Sequence, residues 1–248
     1  MHARDWADIQ EPRIKPVYDA VLARAGVGRG TRYLDVGCGA GLAVHLAAQR
    51  GASVFGVDAS EAFLEVARER TPQGDFRIAD LEKLPFADQS FDVVTGFNSF
   101  QYAADHVAAL REARRVAAKG GQIIVMTWGD PEGIEVLSIV NCYLSFMPPS
   151  SPATHSPFSL SDEKVLREVV TAAGLRTLEI FEVECPFDYP NEETARRGFA
   201  STGIAGRAIE VAGEAAVFAA QTKAFAPFKR ADGSIRLGAW FRCLLAQP

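Results

Sequence analysis

The run Tyr33-Leu34-Asp35-Val36-Gly37-Cys38-Gly39-Ala40-Gly41-Leu42 constrains this chain more than any other stretch of its 248 residues. A short apolar strand runs into three glycines at alternate positions, and Leu42 to Arg50 continues with Ala and Leu at helical spacing. That is a strand, a tight loop and a helix. A second apolar run, Val54-Phe55-Gly56-Val57-Asp58, ends in an acid. A helix that begins on a loop bare of side chains presents its unpaired N–H groups to a ligand lying there. A carboxylate closing the next strand can accept hydrogen bonds from both hydroxyls of a ribose. The outline is that of a nucleoside-cofactor site.

The spacing separates two kinds of nucleoside cofactor. A dinucleotide fingerprint requires Gly-x-Gly-x-x-Gly, but Leu42 stands where the third glycine belongs and the glycines fall at 37, 39 and 41. Asp35 would also repel a pyrophosphate. With these residues the chain resembles class I S-adenosylmethionine-dependent methyltransferases, whose first motif is an acid followed by Gly-x-Gly-x-Gly. The resemblance implies that Gly37, Cys38, Gly39 and Gly41 carry the cofactor. Asp35 orders the loop or meets a cationic group, and Asp58, with Ala59 beside it, takes the ribose. Three further blocks follow in order. Phe76-Arg77-Ile78-Ala79-Asp80-Leu81 looks like the third strand, with Asp80 for the adenine amino group and Leu81 as a flanking contact. Leu84 to Val94 resembles the turn into the fourth strand, which ends at Asn98, and Gly120 to Val125 resembles the fifth. The resemblance spans roughly 30 to 130 and is nearest the small-molecule branch, which includes quinone-ring methyltransferases. It implies S-adenosyl-L-methionine as cofactor and an α/β fold: a doubly wound, seven-stranded, mainly parallel sheet with helices on both faces, an antiparallel last strand and helical cap insertions.

Composition agrees with one methyltransferase domain over 1–248, since 48% hydrophobic residues can fill a core of that size. The start, Met1-His2-Ala3-Arg4-Asp5-Trp6, has no apolar stretch of the signal-peptide type, and no run is long enough to insert in a membrane, so a cytoplasmic address is expected. Cys38, Cys142, Cys185 and Cys243 are widely spaced, which predicts neither a metal site nor a disulfide framework. A net charge of −5 speaks against nucleic acid, and the loop Asn98-Ser99-Phe100-Gln101-Tyr102 lacks the paired prolines of base-methylating enzymes. A small-molecule acceptor is the expectation, and the oligomeric state is left open.

Beyond the glycine loop, Pro12 to Ala25 reads as a first helix and Gly133 to Phe146 as an apolar one. Prolines at 148, 149, 152 and 157 mark a loop, and a helix capped at Ser159 or Ser161 ends at Gly174. Leu178 to Cys185 is the sixth strand. The alternation of Ile235, Leu237, Ala239, Phe241 and Cys243 predicts a half-exposed edge strand across Gly233–Leu244. The segments 134–158 and 191–226 are expected to form a cap over the cofactor crevice. Their aromatic residues, among them Phe146, Phe187, Tyr189, Phe199, Phe218, Phe225 and Phe228, either meet an apolar guest or pack the cap. Methyl transfer needs a base only when the nucleophile carries a proton, and His155 and Tyr102 are the polar candidates. Two other readings stand beside the enzyme: a non-catalytic cofactor-binding or regulatory module, and an NAD-type oxidoreductase on a similar sheet.

Overall fold

The computed structural model describes residues 3–148 and 158–248. They divide into two compact units, one of residues 15–129, 158–183 and 241–248 and one of residues 3–14, 130–148 and 184–240. Among the described residues the strands are β1 (Arg32–Val36), β2 (Ser53–Asp58), β3 (Asp75–Ile78), β4 (Phe91–Phe97), β5 (Ala117–Trp128), β6 (Arg176–Glu184), β7 (Phe187–Tyr189), β8 (Ile235–Leu237) and β9 (Trp240–Gln247). Seven of them form one sheet in the order β3-β2-β1-β4-β5-β9-β6, and β7 pairs with β8 apart from it.

The sheet is parallel from β3 through β5, and β9 runs antiparallel to β5. Central β4 is buried along nearly its whole length because strands flank it and helices cover it, so its sequence is an apolar run with no polar face. One face of the sheet packs Leu34, Val36, Val94, Ile123, Val125 and Leu244 against two helices, α4 (His106–Val116) and α6 (Glu163–Ala172), which contribute Leu110, Val116, Leu166 and Val170. The opposite face meets α1 (Lys15–Arg24), α2 (Leu42–Gln49) and α3 (Glu61–Arg70), and Tyr18 of α1 packs edge-on against Phe97 at 4.6 Å. The first helix is shorter than its periodicity predicts. A 3-10 turn over Glu11–Ile14 leads into it, and Pro16 lies in its first turn, where a missing N–H costs nothing.

The second unit holds α5 (Val136–Leu144), α7 (Glu192–Ala200), α8 (Gly203–Ala212) and α9 (Glu214–Phe225) with the β7–β8 pair. The helical parts of both expected insertions therefore share one unit, and residues 3–14 join them. Its core is aromatic: Phe199 stacks at 5.7 Å on both Tyr189 and Phe225 and at 6.3 Å on Phe187. These four rings are buried, so packing is their task, whereas Phe146, Phe218 and Phe228 stay half-buried. Tyr143 takes a 2.7 Å hydrogen bond from the Gln221 amide, and the Tyr189 hydroxyl donates to Gln10 at the same distance.

Two expectations are corrected. The alternating run after Gly233 is not one edge strand: it breaks at Gly238 and Ala239 into β8, in the small pair, and β9, which lies inside the sheet between β5 and β6. Alternation reports which face a residue takes and carries no information on what borders the strand. The cap of α6 is Asp162, whose carboxylate accepts from the N–H groups of Lys164 and Val165, whereas Ser161 turns its hydroxyl to the Phe158 carbonyl. Replacing Asp162 with Ala should lower unfolding free energy in urea by about 1 kcal/mol. Ser159→Ala should stay within about 0.5 kcal/mol of the parent.

Candidate cofactor site

After β1 the chain turns back over the end of β2. Gly37 and Cys38 both donate their N–H to the Val57 carbonyl at 2.8 Å, which pins the loop to the neighbouring strand. Gly37 has φ +76°, and a Cβ there would overlap the Ser99 side chain. Gly41, at φ +78°, is the N-cap of α2, and a Cβ on it would lie 2.8 Å from that of Ala67 on α3. Close packing of the helix, which the third glycine of a dinucleotide fingerprint provides, is met here one residue earlier. Cys38 is buried, its Sγ where a Cβ on Gly56 would come within 2.8 Å, so the thiol packs and the backbone shapes the loop.

Asp58 closes β2 and is gripped by main chain. One carboxylate oxygen accepts from Gly39 N–H and the other from Ser60 N–H, both at 2.9 Å, and Ala59 N–H adds a third donor. A carboxylate has about four acceptor positions, so at least one is left for an incoming hydroxyl. Burial lifts the pKa of Asp58 above the ordinary 3.8, against the opposing pull of those backbone donors. The native state thus holds this proton more tightly than the unfolded chain does. Ionised Asp58 is a cost to folding that is absent below the ordinary value and complete above the raised one.

Asp35 lies beneath the loop, 2% exposed. Thr95, its register partner on β4, donates its hydroxyl to the Asp35 carboxylate at 2.8 Å, and the Tyr33 hydroxyl lies 2.6 Å from the same Thr95 oxygen. With the single Thr95 proton committed to Asp35, Tyr33 must be the donor. Burial first and the Asp35 charge second hold the Tyr33 phenol well above its usual range, so it keeps that proton. Thr95 was not singled out from sequence, since a threonine within an apolar run reads as strand. Its cross-strand register with Asp35 is the missing signal.

The remaining residues gather at the same edge to different degrees. Ala79 N–H donates to the Asp58 carbonyl at 3.2 Å, so the chain enters Asp80 beside the end of β2. Asp80 itself is exposed, with Oδ1 accepting from Glu82 N–H, and Leu81 packs against the core. Asn98 follows β4 with φ +51°, donates its N–H to the Met126 carbonyl and accepts from the Gln101 amide at 2.8 Å. Tyr102, one turn later, is 62% exposed. His155 lies outside the described residues. Beside Gly37, the buried Ser99 hydroxyl has no hydrogen-bond partner among the described residues. An orphaned hydroxyl next to three glycines that carry no Cβ, with a carboxylate at the rim that keeps an acceptor position, fits a polar nucleoside group. Among the described residues no three His, Cys, Asp or Glu side chains could share a metal ion.

Residues 34–125 match the family model described as a methyltransferase domain. Over those residues the chain carries a methyltransferase domain. The cofactor that this family implies is S-adenosylmethionine. An uncharacterized protein of Mycobacterium tuberculosis is 36% identical over 128 residues, which cover 50% of this chain and 47% of the relative. A ubiquinone biosynthesis O-methyltransferase of Pseudomonas aeruginosa is 35% identical over 139 residues, 50% of this chain and 58% of that enzyme. The chain thus spans about half the length of the curated relatives it matches. In fold, the YcgJ protein of Bacillus subtilis superposes with a TM-score of 0.63 at 21% identity, covering 92% of this chain and 96% of the other. No helix among the described residues is long and apolar enough to cross a membrane.

Gly37→Ala should destabilise the methyltransferase domain by about 2 to 4 kcal/mol, the sum of a left-handed alanine and an overlap with Ser99. Gly120, at φ +79° with open space around it, is the control. Gly120→Ala should cost only about 1 to 2 kcal/mol in the same denaturant titration.

Proposed function

We propose that this chain transfers the methyl group of S-adenosylmethionine to a small apolar or aromatic acceptor, at oxygen, carbon or nitrogen, in the cytoplasm. The observation that carries the reading is the grip of Gly39, Ala59 and Ser60 on Asp58. It holds a half-buried carboxylate at the rim of a loop where Gly37, Gly39 and Gly41 carry no Cβ. In this reading Asp58 accepts from ribose hydroxyls, and Asp80 with Leu81 flanks the adenine. Gly37 to Gly41 supports the cofactor through backbone groups, and Asp35 and Asn98 shape the floor and wall. When bound, the cofactor supplies an electrophilic methyl group on a sulfonium, which departs as a neutral thioether. The protein's work is then orientation: holding the acceptor atom about 3 Å from that carbon and in line contributes several kcal/mol.

Acceptor chemistry is read from aromatic content. Trp128, at the end of β5, packs at 4.7 Å on buried Phe241 and at 5.7 Å on half-buried Phe158, with the rings tilted to one another. Acceptor recognition in this reading falls to the aromatic residues of the helical unit, where Phe146, Phe218 and Phe228 are half-buried. A net charge of −5 favours a small molecule over nucleic acid. The Pseudomonas relative is named for O-methylation in ubiquinone biosynthesis, so hydroxylated rings head the acceptor panel. No side chain is assigned as base, and Tyr102 is the candidate among the described residues.

Calorimetry with S-adenosylhomocysteine tests the cofactor half. Asp58→Ala should weaken binding by about 1.5 to 3 kcal/mol in a folded protein, the loss of charge-assisted hydrogen bonds. Hydroxyl donors favour the ionised carboxylate, so affinity should hold at neutral pH and fall as pH drops through the raised Asp58 pKa. Asp58→Asn should bind more weakly throughout and lose that step. Asp80→Ala should discriminate less against an analogue lacking the adenine amino group. Turnover of labelled cofactor with phenols, quinols and amines tests the transfer, and cofactor binding without turnover of any acceptor would favour the regulatory reading.

A further inference from the structure

The two edges of the sheet differ. At one end β3 is four residues long, and Asp75 and Arg77 close on each other at 2.6 Å. At the other, β6 offers nine residues, Arg176-Thr177-Leu178-Glu179-Ile180-Phe181-Glu182-Val183-Glu184, with no proline or glycine, and its one sheet neighbour among the described residues is β9. Arg176, Leu178, Glu179, Glu182 and Glu184 are exposed, Leu178 to 40%. A long strand with one row of backbone donors and acceptors unpaired is a template for another strand. Of its four charges, two are already answered within the chain. Glu179 pairs with Arg24 at 2.9 Å, and Glu182 with Arg242 at 2.6 Å. Arg176, which donates to the neutral Gln247 side chain at 2.9 Å, and Glu184, at the opposite end, have no opposite charge paired with them among the described residues.

We infer that β6 is the dimerisation strand of this protein, pairing antiparallel with β6 of a second copy about a two-fold axis at Ile180. The axis must stand perpendicular to the sheet, so opposed residues have numbers that sum to an even total and share a face. Three registers use most of the strand. Centred on Glu179, the pairing sets Glu179 against its own copy, a like-charge contact. Centred on Phe181, it leaves Arg176 beyond the paired segment and Glu184 opposite Leu178. Centred on Ile180, it sets Arg176 against Glu184 at both ends, Leu178 against Glu182, and Ile180 against Ile180, with no like charges opposed. Ile180 packs on the same core as Leu166 and Val170, and Leu178, two residues before it, lies on the same face of the strand. Pairing through Ile180 would cover the exposed Leu178 and merge two seven-stranded sheets into one.

Sedimentation velocity of the protein without cofactor, at about 1 to 100 μM, reads the equilibrium, because an edge pairing lies at the low end of stable interface sizes. A concentration-dependent monomer–dimer equilibrium is expected. Arg176→Glu should raise the dimer dissociation constant about tenfold or more by opposing like charges at both ends. The double variant Arg176→Glu, Glu184→Arg should restore the parent value. Both positions are exposed, and circular-dichroism melts confirm that each variant is folded. A monomer at every concentration, or a dimer indifferent to Arg176→Glu, overturns the assignment of this strand. Failure of the double variant to recover overturns the Ile180 register. None of these readouts involves cofactor or acceptor, so they stand apart from the proposed activity.

Discussion

The 2.9 Å hydrogen bond from Gly39 N–H to the Asp58 carboxylate joins the two segments on which the rest of the site depends. It works because the parallel register sets Val36 beside Val57, so the loop after β1 and the acid after β2 leave the sheet at the same level. Gly37 and Cys38 share the Val57 carbonyl below it. A side chain on Gly37 would strike Ser99, and one on Gly41 would strike Ala67. The glycines are therefore required twice over, by backbone conformation and by what packs against them.

Beneath this loop, a buried carboxylate is tolerated because β4 supplies a donor in register. Thr95 hands its proton to Asp35 and takes one from Tyr33, so three polar groups are arranged head to tail in the apolar interior. Such a chain has one direction, set by a carboxylate that can only accept. It makes the floor of the site stiff as well as polar.

The helical unit follows another logic. Its chain segments are far apart in sequence, 3–14, 130–148 and 184–240; the last carries its own cluster of four buried rings, and two buried hydrogen bonds, Tyr189 to Gln10 and Gln221 to Tyr143, tie the other two to it. Aromatic residues that suggest a guest when read along the chain divide on burial. Phe187, Tyr189, Phe199 and Phe225 are core, and Phe146, Phe218 and Phe228 retain exposed surface.

Local chemistry by itself determined the strand-loop-helix at 33–49, the acid at 58, the alternation of strands with helices up to Trp128 and the helical character of 191–226. Glycines, helical spacing and apolar runs act over a few residues, and the chain spells them out. Tertiary structure decided what depends on neighbours distant in sequence. It made Thr95 the partner of Asp35 across β1 and β4, and it left the Ser99 hydroxyl orphaned against Gly37. It split 235–247 between two sheets and put β9 in the interior, leaving β6 at the edge. Periodicity fixes the face on which a side chain lies, while the residue opposite it is chosen by register and strand order, and those are properties of the assembled sheet.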